Sequence, residues 1–203
     1  MATTRGTRSR NRRGDGAALR ADLIAAADAL LDELGDPEGL TVRGVTAAVG
    51  VAPNAFYLHF ADRSALLTEL AIIRFGECTD QVRRAVDGVE DPLERLLVGH
   101  EEYCRLALER PGHYRLLFRN GVRPDDPDSL DRLVRAGLGY FQLCLDGCAG
   151  CLDAGVLHAE SSVALASAVW ALQHGWCELM LTGMGSTLLG TPRDVLLALV
   201  DPS

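Results

Sequence analysis

The sequence predicts an all-α protein in which a small three-helix N-terminal domain precedes a larger helical bundle. Hydrophobic residues form 48% of the 203 residues, which is enough to bury a globular core. They are mostly Ala, Leu and Val, and aromatic residues form only 5% of the chain. Apolar positions recur at steps of three and four residues, a spacing that favours amphipathic helices over strands.

Basic residues are concentrated at the N-terminus. The chain has a net charge of −8 and no Lys, yet residues 1–16 are rich in Arg, Gly, Thr and Ser and lack a periodic apolar face. We predict a flexible arm there. Such an arm can follow DNA phosphates even on an acidic protein, because the local field governs the contact. A solvated tail is the alternative. The arginines concerned are Arg5, Arg8, Arg10, Arg12 and Arg13.

Start and stop signals define the first two helices. An apolar stripe that begins at Leu19 ends at the Gly-Asp-Pro of residues 35–37, which predicts the first helix. Thr41 is a suitable N-cap for a short second helix. Gly50 can take the left-handed conformation that ends it.

A third short helix follows after a tight turn. Pro53 suits its first position, and Phe56 and Phe60 fall four residues apart on its inner face. Two short helices joined by a Gly-containing turn and backed by a longer first helix form a helix-turn-helix pattern.

The rest of the chain predicts helices bounded by Pro, Gly or Asp. They extend from Ser64 toward Val89 and over Pro92–Glu109, Pro111–Arg119, Ser129–Gly155, Ser161–Thr182 and Pro192–Val200. We therefore divide the chain into an arm (1–16), a helix-turn-helix domain (17–63) and a helical bundle (64–203).

Three stretches around the second and third helices resemble the DNA-binding domain of the TetR (tetracycline repressor) family. They are Thr41–Val45, Gly50–Phe60 and Asp62–Leu67, in which a Tyr-x-His-Phe run is followed by a basic residue and Ala-Leu-Leu. The resemblance covers roughly residues 17–70. It implies a transcriptional regulator, and a repressor in particular, whose homodimer binds a palindromic double-stranded DNA operator and is released by a small-molecule ligand.

The resemblance places the start of the third helix on the base edges. Pro53, Asn54 and Ala55 occupy that end, and the Asn54 amide suits an adenine edge. Ala52 and Ala55 replace hydroxyl residues that are common in the family. The helix therefore lacks a side-chain cap at position 52, and position 55 is limited to apolar contact with thymine methyls.

Five further residues are expected to contact DNA around that helix. By similarity, Tyr57 and His59 hold phosphates. Arg43 is placed to reach a phosphate or a guanine, and Thr41 offers its hydroxyl to a phosphate. Arg63 stands where the family usually has Lys. A packing role is the alternative for Tyr57 and His59.

Two C-terminal stretches, Arg110–Phe118 and Trp170–Gly175, resemble a TetR ligand-domain subtype with a Trp-His-Gly signature. In a helical bundle we expect a ligand cavity lined by apolar and aromatic groups with a few polar anchors. Ordinary core packing is the alternative for each candidate. The candidate lining residues are Tyr103, Phe118, Phe141, Trp170 and His174.

Cysteines supply an alternative means of regulation. Cys144, Cys148 and Cys151 are spaced to lie along one helix face, and Cys104 or Cys177 can complete a group with them. Buried cysteines usually act as small apolar residues. The alternative is a thiol- or soft-metal-responsive regulator of the same fold.

The last two long helices predict a dimer. Ser161–Thr182 and Pro192–Val200 are rich in Ala and Leu on more than one face, so both require burial. In the family these helices form a four-helix interface with the second subunit. A two-fold dimer then presents two recognition helices to a palindrome.

Several other classes of function lack their sequence signals. The absence of a Gly-rich phosphate loop, a nucleophile elbow and a His-rich metal motif argues against an enzyme, a cofactor or a metal site. His100 beside Glu101-Glu102 is interpreted as a helix-surface group. Acidic residues interrupt the Ala-rich stretch after Arg12-Arg13, and no long apolar run follows, so we expect no export signal and no membrane span. We expect a cytoplasmic protein with reduced cysteines.

Overall fold

The computed structural model describes residues 15–119 and 122–200, and every regular element in these ranges is helical. This confirms the all-α prediction. The arginines predicted for the arm lie outside the described residues. The helices are α1 (Asp15–Leu34), α2 (Val42–Val49), α3 (Pro53–Phe56), α4 (Arg63–Ala85), α5 (Pro92–Glu109), α6 (Pro111–Tyr114), α7 (Pro127–Asp153), α8 (Ser162–Leu181), α9 (Gly185–Leu188) and α10 (Pro192–Val200). A 3₁₀ turn (Pro37–Gly39) precedes α2, and a π-helical turn (Arg115–Arg119) follows α6.

Side-chain caps fix where several helices begin. The Thr41 hydroxyl and the Asp62 carboxylate accept hydrogen bonds from first-turn amides of α2 and α4, which satisfies donors that a helix leaves free. Asp126 does the same for α7 by accepting from the Ser129 amide at 2.9 Å. Because of that cap, α7 begins at Pro127, two residues before the predicted start at Ser129.

Other boundaries also differ from the sequence prediction. α1 begins ahead of its apolar stripe, and α4 ends at Ala85, short of Gly88, which has a φ of 73°. The segment predicted as one helix over Pro111–Arg119 is a single α-helical turn followed by the π-helical turn. Both forms place apolar residues on the core side, so spacing alone does not separate them.

The N-terminal helices share one hydrophobic core with the first half of α4. Each large aliphatic side chain buried there contributes about 1.5–3 kcal/mol relative to exposure. Leu116 of the π-helical turn is part of the same core, so the bundle segment enters the N-terminal domain. The fully buried members include Leu23, Leu31, Val45, Phe56, Leu66 and Leu70.

Helices α5, α7, α8 and α10 form the bundle, and α4 packs along α7. Val82, near the end of α4, belongs to a bundle core, whereas Leu70 on the same helix belongs to the N-terminal core. Helix α4 is thus shared by both domains, and the division at residues 63 and 64 stays a prediction. No helix in the described ranges is long and apolar enough to cross a bilayer.

The domains also meet where α6 packs against α1, a contact we call the α1–α6 seam. Gly112 lies directly against the α1 backbone: a Cβ atom at this position would fall 2.5 Å from the Leu31 carbonyl oxygen and 3.3 Å from the Gly35 Cα. Backbone atoms cannot rotate away as a side chain can. Only glycine therefore fits here without displacing one helix.

We expect Gly112→Ala to lower the free energy of unfolding by about 1–3 kcal/mol, because the added methyl group overpacks the seam. Gly76→Ala is the control, since Gly76 lies in α4 with open space at its Cβ position. That change should stabilise the chain by about 0.5–1 kcal/mol through helix propensity. Urea unfolding followed by circular dichroism measures both. An unchanged midpoint for Gly112→Ala would show that the seam is not tightly packed.

Candidate DNA-binding face and ligand cavity

The turn between α2 and α3 presents the start of the third helix to solvent. Gly50 has a φ of 77°, the left-handed conformation predicted for the end of α2. Pro53 occupies the first position of α3, and Ala52 makes no side-chain capping bond. The missing cap expected at position 52 is therefore confirmed.

Several of the residues predicted to contact DNA are exposed around this turn. Arg43, Pro53 and Asn54 have exposed side chains. Ala55 and His59 are half-buried, so each presents only part of its surface. These residues come from α2, α3 and the turn after α3, which their shared core holds together.

Tyr57 is 56% exposed although it follows directly after a fully buried phenylalanine. Its ring meets the Phe56 ring edge-on at a centroid distance of 5.4 Å, and the Phe60 ring lies 5.5 Å from Phe56. α3 ends at Phe56, so Tyr57 lies in a turn and not within a longer helix. The sequence interpretation missed Leu58, which is 80% exposed beside it.

Arg63, which is also expected to contact DNA, is half-buried at the start of α4. Its guanidinium donates hydrogen bonds to the carbonyl oxygens of Leu40 and Pro37. It therefore holds the loop that leads into α2. Thr41 remains exposed at the N-cap, where its hydroxyl accepts from the Gly44 amide at 3.0 Å.

An ion-pair network reinforces the α1–α6 seam. His113 on α6 lies 2.7 Å from Asp28 and 3.2 Å from Asp32, both on α1. Arg74 on α4 and Arg110 bind the same two carboxylates at 2.9 and 2.8 Å. Within the described residues these two acids and His113 are the one group close enough to hold a metal ion, but the two arginines already neutralise the carboxylates.

The electrostatics of this seam favour the ionised acid. Burial raises the pKa of Asp28, but the hydrogen bond with His113 and the charge of Arg74 outweigh it. The pKa therefore lies below its ordinary value. The seam is held in part by a carboxylate that stays charged near neutral pH.

The five aromatic residues expected to line a ligand site meet in one aromatic cluster. His174 lies at its centre, with Phe118 at 4.5 Å and Trp170 at 4.9 Å between ring centroids. Tyr103 lies 5.6 Å from His174, and Phe141 lies 5.3 Å from Trp170. The sequence interpretation missed three further members, Phe75, Tyr114 and Tyr140.

His174 links α8 to α5 and α6 by hydrogen bonds. The Tyr114 hydroxyl lies 3.1 Å from Nδ1, and the Tyr103 hydroxyl lies 3.4 Å from Nε2. Burial lowers the pKa of His174 to about 4. The imidazole is therefore neutral at physiological pH, with one nitrogen donating and the other accepting.

A cavity of about 390 Å³ lies between α4, α5, α7 and α8. This volume falls at the lower end of the range for small-molecule sites. Its walls are mainly aliphatic, and three buried polar residues from α5, α7 and α8 border it. The wall residues include Val82, Val86, Leu96, Leu143 and Val169, and the polar residues are His100, Tyr140 and Gln173.

Gln173 connects the three polar residues. Its Oε1 accepts a hydrogen bond from the Tyr140 hydroxyl at 3.2 Å and lies 3.3 Å from His100 Nδ1. The residue is 1% exposed, and its Nε2 is buried with no hydrogen-bond partner among the described residues. A buried donor left unpaired costs about 1–3 kcal/mol.

The residues expected to line the ligand site are absent from the described lining of this cavity. Phe118, Phe141 and Trp170 border an open groove of about 470 Å³ instead. Tyr103 borders a narrow cleft of about 50 Å³. His100 is 2% exposed, which corrects its assignment to the helix surface.

The three cysteines of α7 are buried, as apolar packing predicts. The Cys151 thiol donates to the Pro92 carbonyl oxygen at 3.2 Å. Burial raises the pKa of Cys151 to about 11. A hydrogen bond with Cys144, together with burial, raises the pKa of Cys148 as well. Protonated thiols are poor nucleophiles and poor metal ligands, so these contacts favour a packing role.

Comparisons with known proteins agree with this architecture. Residues 98–201, about half of the chain, match the model for the tetracyclin repressor-like C-terminal domain. Residues 23–70 match the model for bacterial regulatory proteins of the tetR family. The class A tetracycline repressor protein from transposon 1721 of Escherichia coli is 36% identical over 102 residues. That match spans 50% of this chain and only 42% of the relative.

Solved structures share most of this architecture. A protein of unknown function from Rhodococcus sp. RHA1 has a TM-score of 0.75 at 27% identity, over 89% of this chain and 91% of that one. FadR from Bacillus subtilis in complex with stearoyl-CoA has a TM-score of 0.71 at 14% identity, over 90% of this chain and 98% of that one. The second likeness shows the fold alone. The Trp-His-Gly subtype stays an expectation.

We expect Asp28→Asn to lower the free energy of unfolding at pH 7 by about 1–2 kcal/mol, because it weakens the charged bonds of the seam. A carboxyl whose pKa is lowered by folding stabilises the protein above its unfolded pKa of about 3.9, and the effect is lost as pH falls through the folded pKa. The deficit should therefore shrink below about pH 4.

Urea unfolding between pH 7 and pH 3 measures this dependence. Asp80→Asn is the matched control, because Asp80 forms an exposed ion pair with Arg83 on the same helix. Exposed pairs contribute little, so its deficit should stay below about 0.5 kcal/mol. A deficit for Asp28→Asn that is constant over the whole range would contradict the role of its charge.

Proposed function

The chain belongs to the TetR family of bacterial regulatory proteins, and from this membership we propose that it is a transcriptional repressor released from DNA by a small molecule. The observation that carries the proposal is the exposed face built from α2, α3 and the turn after α3. Arg43, Asn54 and Tyr57 are exposed there above a buried hydrophobic core. A helix-turn-helix contacts DNA with such a face.

In the proposed complex, the residues divide by the part of DNA that they contact. Pro53, Asn54 and Ala55 face base edges at the start of α3, while Tyr57 and His59 contact phosphates. Arg43 adds a positive charge on the neighbouring helix. Arg63 supports this face through the loop before α2.

Release requires a connection between the bundle and the N-terminal domain, and α6 supplies one. On one side, Tyr114 bonds to His174 of the aromatic cluster. On the other side, Gly112 and His113 contact α1. A ligand that favours a different position of α8 would move α6 and therefore α1. By linkage, DNA then weakens ligand binding by the same factor.

We propose a homodimer formed through the outer face of α8. Gly175 is exposed with open space at its Cβ position, and Leu179, one turn further on, is 42% exposed. Ala164, Ala168 and Ala171 are exposed and continue this small apolar face toward the start of the helix. Small residues allow two helices to approach closely. A second copy of this chain fits because two-fold pairing presents two reading heads to a palindrome.

The DNA-binding proposal predicts that Tyr57→Ala and Arg43→Ala each weaken binding to a duplex selected from a random library by the wild-type protein. If Arg43 contacts a phosphate, its loss should also reduce the slope of log K against log salt by about 1. Fluorescence anisotropy across a salt series gives both quantities.

Arg84→Ala is the matched control, because Arg84 is an exposed arginine near the far end of α4. It should leave affinity and salt slope unchanged. If all three variants bind as the wild type does, the assigned face is wrong. If the wild-type protein selects no duplex, the proposal of a DNA-binding repressor fails.

The dimer proposal predicts that light scattering returns the mass of two chains for the wild-type protein. Leu179→Glu should shift the mass toward one chain, because two buried carboxylates would face each other across the two-fold axis. Leu58→Glu, an exposed leucine in the other domain, should remain dimeric. A monomeric wild-type protein would refute the dimer.

A further inference from the structure

The cavity between α4, α5, α7 and α8 has a lining that would discriminate between ligands as well as room to hold one. Its walls are aliphatic, and its buried polar residues meet at Gln173. Most buried polar groups in folded proteins have a partner. The unpaired Nε2 of Gln173 is therefore an unmet donor on a residue that borders this mainly aliphatic cavity.

The acceptor side of the same amide is already occupied. Tyr140 donates to Gln173 Oε1, and His100 Nδ1 lies within bonding distance of the same oxygen. A carbonyl oxygen has two lone pairs, and the Tyr140 hydroxyl uses one of them. A ligand carbonyl beside this amide can accept a hydrogen bond from Nε2, whereas a ligand hydroxyl that accepts the same bond brings a proton that needs an acceptor of its own.

The buried polar residues are also uncharged. Burial lowers the pKa of His100 and raises the pKa of Tyr140 well above its ordinary value, so both are neutral near pH 7. The charged residues on the cavity border are two acids and one arginine, Glu90, Asp146 and Arg95, and all three are exposed. A charged ligand group would lose water without gaining a buried counter-ion.

We propose that this cavity binds a compact, uncharged, mainly aliphatic molecule whose carbonyl oxygen accepts a hydrogen bond from Gln173. The assignment rests on the proposed function, because it names the class of ligand that releases the repressor. At about 30 Å³ for each water-sized atom, the volume suits roughly ten to thirteen non-hydrogen atoms. The shape and chemistry fit a medium-chain ketone or ester better than a fatty acid or a phenol.

The position of Gln173 explains how such a ligand would be sensed. Gln173 immediately precedes His174 on α8, and His174 bonds to Tyr114 of α6. The cavity is also bordered by Val82 and Val86 at the end of α4. A bound molecule therefore contacts the helix shared by both domains and the residue next to the α6 connection.

Three ten-carbon probes test the assignment by isothermal titration calorimetry on the full chain. These are 2-decanone, 2-decanol and decanoate, which present a neutral acceptor, a hydroxyl and an anion on similar chains. We expect 2-decanone to bind at least about fivefold more tightly than either of the others, because each of these leaves a group unpaired. Equal binding of the three, or no binding of 2-decanone, would overturn the proposal.

Variants locate the bound molecule. Gln173→Met keeps the length of the side chain but removes the donor, so 2-decanone should bind about tenfold more weakly. Ser167→Ala changes a residue on the open groove and not on the cavity, and should bind 2-decanone as the wild type does. Loss of binding in Ser167→Ala alone would place the ligand in the groove and overturn the assignment.

A second variant keeps the test decisive if Gln173→Met does not fold, as judged by circular dichroism. Gln173→Glu keeps the shape but replaces the donor with an acceptor, so it should remove the preference for 2-decanone over 2-decanol. An unchanged preference would overturn the role of Gln173.

Duplex binding separates this inference from the proposed function. If the selected duplex binds but 2-decanone does not, the ligand class is wrong and the repressor stands. If 2-decanone binds and no duplex is selected, the cavity assignment stands and the repressor does not. If both bind and 2-decanone leaves duplex affinity unchanged, the ketone is not a ligand that releases the repressor.

Discussion

The close approach of Gly112 to the α1 backbone is the constraint on which the arrangement of the two domains depends. Two helices that touch through backbone atoms cannot slide without breaking van der Waals contact along their length. Leu116 then carries the π-helical turn into the N-terminal core, so the same short segment is packed in both domains. The DNA-binding face is therefore positioned by the bundle as well as by its own three helices.

The segment around α6 has different chemistry on its two sides. Toward α1 it makes charged contacts, in which His113 and Arg110 meet two carboxylates. Toward α8 it makes neutral ones, in which Tyr114 meets an imidazole that burial keeps unprotonated at physiological pH. A change in the bundle can thus alter the neutral side by repacking, while the charged side keeps α6 attached to α1. A movement of the bundle would therefore shift α6 together with α1 more readily than it would separate the two helices.

Sequence signals that act within one helix predicted more of this structure than signals that depend on contacts between helices. Caps at Thr41 and Gly50 were readable because each satisfies or ends its own helix within a few residues. The contact between Trp170 and His174 also followed from their spacing of four residues on one helix. The position of the cavity between α4, α5, α7 and α8 could not be predicted from the sequence, because it depends on how these four helices pack together. The one signal for Gln173 is that it is a polar residue within an apolar stretch, next to aromatic residues that fit a ligand site equally well by type.

The free energy of a hydrogen bond to the buried Gln173 amide is compatible with ligand control of DNA affinity. Couplings between two ligands on one protein are commonly about 1–3 kcal/mol, which corresponds to affinity changes of roughly 5- to 150-fold. One hydrogen bond to a buried unpaired donor is of that size. Only the part of this energy that differs between the two positions of α8 changes DNA affinity. Because the donor lies beside His174, a small shift of α8 alters the cavity and the α6 connection together, and this adjacency gives the ligand a means of preferring one state.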